Sequence, residues 1–143
     1  MSAKSGANGG EYLNGKGERI VDTDIIVDML RGLRASRDYI RRFELGELKG
    51  ILSAVVIAEL YAGRRTRDPI IARRIEDVIA LFTVVPVSPN IARKAGELMR
   101  DYGLNLPDAL IAATALVYDA ILVTRNIRDF QRIPNLRLEV PYE

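Results

Sequence analysis

The chain contains no histidine and no cysteine. The missing cysteine excludes a disulfide framework, a zinc–thiolate site and a thiol nucleophile, and it suits a reducing cytoplasm. The missing histidine takes away the imidazole base on which much hydrolytic chemistry depends. Aromatic residues make up only 6% of the chain, too few for a platform on which nucleic-acid bases stack. No apolar run approaches the roughly 18–20 residues needed to span a bilayer, and residues 1–17 lack the apolar core of a secretory signal. No Gly-x-Ser-x-Gly elbow is present, which argues against an α/β-hydrolase.

What is present describes one globular domain. The chain has 143 residues, 48% hydrophobic and 28% charged, enough to bury a core without covalent staples. Net charge is +2, with a pI of about 9.0, which permits a polyanionic partner without requiring one. Residues 1–18 are rich in Gly, Ser and Asn, and they read as a flexible tail ahead of a domain over 19–143. Gly10 to Gly17 imitates a phosphate-binding GxxxxGK[ST] loop. It has Gly17 where a hydroxyl residue belongs and precedes a strand instead of following one, so a soft linker is the better reading.

Beyond the tail, strands and helices alternate. Short apolar runs predict strands over 19–23, 51–53, 83–87, 120–124 and 136–140. Helical periodicity predicts helices over 24–30, reaching Gly32, and over 36–48, 55–62 and 68–81. Ser88-Pro89 is an N-cap with proline in the first turn of a further helix, which Gly103 stops. Pro107 opens another helix, apolar on nearly every side over 109–117, which must therefore be buried. The alternation implies an α/β fold, a central and mainly parallel five-stranded sheet flanked by helices.

Asp22, Glu59, Asp108 and Asp129 each fall where a strand hands over to a helix. Parallel strands deliver their carboxyl ends to one edge of the sheet, so acids far apart in sequence can converge there. Carboxylates without nitrogen or sulfur ligands suit a hard cation, Mg²⁺ or Mn²⁺. Such an ion lowers the pKa of bound water and neutralises charge on a phosphoryl group, which points to phosphate-ester hydrolysis. The ordinary alternative is that these acids are helix caps and surface charges. Asp24 reads as the N-cap of the first helix, with a supporting role beside the ligands, and Asp28 as a residue facing solvent. Arg64, Arg65, Arg67 and Arg125 stand near the acids and could bind substrate phosphates.

Four segments resemble the PIN domain, and within it the VapC-type toxin ribonucleases. They are Val21-Asp22-Thr23-Asp24-Ile25-Ile26, Val56 to Gly63, Leu106 to Ala115 and Leu122 to Phe130, in order over about the whole of 19–140. The resemblance implies an Mg²⁺- or Mn²⁺-dependent endoribonuclease, the toxin of a type II toxin–antitoxin module. It also implies an RNA substrate, a cognate antitoxin, a homodimer, and no membrane. Asp22, Glu59 and Asp108 match the family's metal-binding acids. The fourth position is open between Asp129 and Asn126, the latter standing where many members have Asp. Thr124 matches a family Thr/Ser that would bond the scissile phosphate or metal waters, and Asn126, Arg64 and Arg125 would contact substrate. Two other functions compete: a non-catalytic PIN module binding RNA or protein, and a haloacid-dehalogenase-like phosphatase suggested by Asp22-Thr23-Asp24.

Overall fold

The computed structural model describes residues 17–143. The expected tail and its phosphate-loop imitation lie almost wholly outside these. Glu18, counted with the tail, already accepts a hydrogen bond at its carbonyl from the Ile121 amide, at 2.9 Å.

Five parallel strands form one sheet among the described residues, in the order β3-β2-β1-β4-β5. They are β1 (Arg19–Val21), β2 (Gly50–Ser53), β3 (Thr83–Val85), β4 (Ile121–Val123) and β5 (Leu138–Glu139). The helices are α1 (Thr23–Leu30), α2 (Arg34–Glu44), α3 (Ala54–Tyr61), α4 (Pro69–Ile79), α5 (Pro89–Tyr102), α6 (Leu106–Tyr118) and α7 (Ile127–Phe130). A single 3-10 turn, Arg64–Arg67, separates α3 from α4. None of the described helices is long and apolar enough to cross a membrane. The α/β architecture expected from the alternation is the observed one.

Most differences from the expected elements lie at their ends. α2 stops at Glu44 because Gly46 turns the chain with a φ of +78°, a conformation open to glycine and costly elsewhere. β1 ends at Val21, so Asp22 takes the cap. β3 ends before Pro86, which has no amide to donate to a ladder. Gly50 is required by packing, since a Cβ there would strike the rings of Phe82 and Phe43.

Seven consecutive residues of α6, Ala109 to Ala115, are buried. The helix lies against α5 on one side and against α3 and strands β1, β2 and β4 on the other. Small side chains on its faces permit that double contact. The N-terminal end of α6 is thereby fixed beside the carboxyl end of the sheet. In this strand order the chain reverses direction across the sheet between β1 and β4. In open α/β sheets, ligands bind outside the carboxyl ends of the strands at such a switch point.

Candidate active site

Val21 of β1 and Val123 of β4 are register partners, so the next residues, Asp22 and Thr124, face each other at the switch point. The Asp22 amide donates to the Val123 carbonyl at 2.9 Å. Thr124 Oγ1 donates to Asp22 Oδ2 at 2.8 Å, and the Thr23 amide donates to Asp22 Oδ1 at 2.8 Å. Asp22 therefore caps α1, with extended backbone angles. The N-cap role expected of Asp24 is corrected: Asp24 sits exposed in the first turn.

Asp22 is only 5% exposed, and no cationic side chain among the described residues pairs with it. Burial pushes its pKa up to about 6, and the charges of Asp108 and Asp24 add to that. The bonds from Thr124 and Thr23 pull the other way and do not win.

Glu59 lies near the end of α3, half-buried, and its Oε1 accepts from Thr23 Oγ1 at 2.5 Å. Thr23 thus joins two acids, its amide on Asp22 and its hydroxyl on Glu59. In the sequence Thr23 stands out only as part of the Asp22-Thr23-Asp24 motif. A threonine directly after a strand-end acid was the available signal. Asp108 sits in the first turn of α6, where the Asn105 cap accepts from its amide at 2.9 Å. Its pKa is raised, first by burial and then by the charges of Glu59, Asp129 and Asp24. All four predicted acids, with Asp24, therefore share one electrostatic neighbourhood.

Asn126 and Asp129 prove to be partners: Asn126 Nδ2 donates to Asp129 Oδ2 at 2.9 Å. The Asn126 amide donates in turn to Thr124 Oγ1 at 2.9 Å. The Thr124 hydroxyl accepts from one side of the site and gives its only proton to Asp22. Arg125 points to α1 and grips Asp28, with Nε–Oδ2 at 2.8 Å. Arg64 and Arg65 line a cavity of about 330 Å³ together with Glu59, Arg31, Val27 and Leu60. A larger hollow of about 510 Å³, bordered by Asn90, Lys94 and Val117, holds none of the four predicted site acids.

The donor set of carboxylates and hydroxyls fits a hard divalent cation and no softer metal. Among the described residues, no three acidic side chains stand in a ready ligand geometry. The threonines hold Asp22 and Glu59, and carboxylates without a cation repel one another.

A family model described as PIN domain matches residues 19–136. Ribonuclease VapC10 of Mycobacterium tuberculosis is 38% identical over 124 residues, which is 82% of this chain and 90% of that protein. Ribonuclease VapC19 of the same organism is 35% identical, covering 83% and 97%. Among solved structures, a toxin–antitoxin complex from Klebsiella pneumoniae matches with a TM-score of 0.71 and 29% identity, over 87% of this chain and 98% of that one. A DNA-bound VapBC from Salmonella typhimurium shares the fold, with a TM-score of 0.74 at 23% identity, over 85% and 96%. The chain belongs to the PIN domain family, in its VapC-like branch.

Proposed function

We propose that this protein is an Mg²⁺- or Mn²⁺-dependent endoribonuclease, the toxin of a type II toxin–antitoxin pair acting in the cytoplasm. Relatives named ribonuclease VapC support the nuclease part, and a similar toxin–antitoxin complex supports the partner. The observation that carries the reading is Asp22. It is a buried carboxylate with its pKa pushed up to about 6 by burial and by neighbouring acids, and no cationic side chain among the described residues pairs with it. A divalent ion would relieve that repulsion, and Asp22, Glu59, Asp108 and Asp129 would hold it. When bound, it supplies activation of water and neutralisation of charge on the phosphoryl oxygens.

The remaining work falls to side chains. Thr23 and Thr124 keep the Asp22 and Glu59 oxygens aimed at the site. Asp108, half-buried and therefore open on one side, orients the attacking water. Asn126 steadies Asp129. Arg64, exposed on the rim of the cavity beside Glu59, meets the RNA phosphates. An antitoxin segment would cover the same groove, and a homodimer completes the assembly in this reading.

A non-catalytic PIN module stays in view because of Asn126 and the lack of a ready three-acid clasp. The phosphatase reading loses its ground to the family match. The test is cleavage of a labelled RNA panel with Mg²⁺, Mn²⁺ or EDTA, with Asp108→Asn prepared in parallel. Cutting that disappears in both EDTA and the variant supports the nuclease. Cutting that survives in both EDTA and the variant belongs to a contaminant, and cutting lost in EDTA but kept in the variant places Asp108 outside the chemistry. No cutting together with no bound ion favours the binding module.

A further inference from the structure

Asp28 lies one turn beyond Asp24 on α1, with its side chain 13% exposed. Its carboxylate is fully engaged. Arg125 Nε meets Oδ2 at 2.8 Å, Arg125 Nη2 donates to Oδ1 at 3.1 Å, and the Tyr142 hydroxyl donates to Oδ2 at 2.7 Å. Two guanidinium nitrogens on two carboxylate oxygens form the fork that gives arginine–carboxylate pairs their fixed geometry. Elsewhere, Arg73–Asp77 and Arg100–Asp101 join near neighbours in sequence, with both partners exposed, and such pairs hold little in place. The Asp28 fork joins segments 97 residues apart, and Tyr142 adds the C-terminal segment.

The position of Arg125 gives the fork its meaning. Its preceding neighbour, Thr124, donates to Asp22. Its following neighbour, Asn126, donates to Asp129. Fixing residue 125 therefore constrains both residues that hold these acids.

We propose that Asp28, Arg125 and Tyr142 form a clamp that positions the acidic site, holding the 124–126 segment against α1 so that Thr124 and Asn126 present Asp22 and Asp129 correctly. Arg125 is then a positioning residue, in place of the phosphate-binding role expected from the sequence. The proposal rests on the nuclease reading for its kinetic consequence but not for its structural one.

The two roles of Arg125 separate in kinetics. A phosphate-binding arginine lost to mutation raises KM, and Asp28→Asn would free that arginine for substrate. A positioning clamp lost from either end lowers kcat and leaves KM alone.

The experiment measures RNA cleavage by the wild type, Asp28→Asn, Arg125→Gln, their double variant and Tyr142→Phe. It is paired with amide hydrogen exchange at Asn126, whose N–H bonds Thr124. Asp28→Asn and Arg125→Gln are each expected to lower kcat about 10-fold with KM within about twofold. The double variant should be no worse than the poorer single, and Tyr142→Phe should lose about threefold. Exchange at Asn126 should rise about 10-fold in Asp28→Asn while amides in the middle of α6 stay protected, marking a local opening and not unfolding. A KM-only effect in Arg125→Gln with Asp28→Asn silent would overturn the clamp, as would unchanged exchange at Asn126. If the wild type cuts no RNA, the nuclease reading fails alone, and the exchange measurement still decides the clamp.

Discussion

Asp22 and Asp28 belong to the same stretch of chain, the first capping α1 and the second near its end, yet they are treated in opposite ways. Asp28 has a guanidinium at 2.8 Å and a phenol at 2.7 Å. Asp22 is buried more deeply and has only neutral donors, the Thr124 hydroxyl and the Thr23 amide. Burial of an unpaired charge is costly, and the group responds by raising its pKa. The fold has arginine available nearby and spends it on Asp28. The contrast separates an acid paired within the fold from a buried acid beside other acids, for which a divalent cation is the partner proposed above.

The strongest way to break this contrast is to remove a charge from the uncompensated group. Asp108→Asn should lower RNA cleavage by about 100-fold or more while the circular dichroism spectrum stays that of the wild type. Retained cleavage would place Asp108 outside the chemistry.

The next test uses pH. The pKa of Asp22 is raised from 3.8 to about 6 in the folded protein. The folded state therefore binds a proton more tightly than the unfolded chain does. The resulting stabilisation is fully present below pH 3.8 and is lost as pH rises through about 6. The shift corresponds to about 3 kcal/mol at most. In EDTA at pH 8, Asp22→Asn should be more stable than the wild type by about 1–3 kcal/mol in urea unfolding. Its carbonyl can stay on the Thr23 amide while its NH₂ turns to the Thr124 oxygen. The advantage should shrink as pH falls from 7 to 4. A pH-independent difference would show that charge is not the cause.

An effect of similar size comes from the neutral donors. Thr124→Val removes the hydroxyl from Asp22 and the acceptor from the Asn126 amide. It should destabilise the protein by about 1–3 kcal/mol at pH 7.5. The loss should be smaller at pH 4, where a protonated Asp22 no longer needs two donors.

Much of this contrast was legible in the sequence, and the reasons are physical. Asp22, Glu59 and Asp108 stand out because each interrupts or borders an apolar segment, and strand–helix alternation dictates where such residues gather. The buried α6 was visible in its unbroken run of small and apolar residues. The cap was misplaced by two residues because a strand end and a helix start overlap at Asp22-Thr23-Asp24, where only the backbone angles decide. The Thr23–Glu59 bond, the Asn126–Asp129 pair and the Asp28 fork were not legible as pairings. Each depends on side-chain direction, and the first and last also join distant parts of the chain. Sequence pattern places a residue on an edge, and it leaves open which neighbour the side chain will choose.

The most direct test of the central claim is calorimetric titration of the wild type with Mn²⁺ at pH 7.5, alongside Asp108→Asn. Saturable binding to the wild type is expected, with affinity weakened by about 10-fold or more in the variant. Absence of binding to the wild type, or equal binding by both proteins, would contradict the claim that these acids are held apart for a cation.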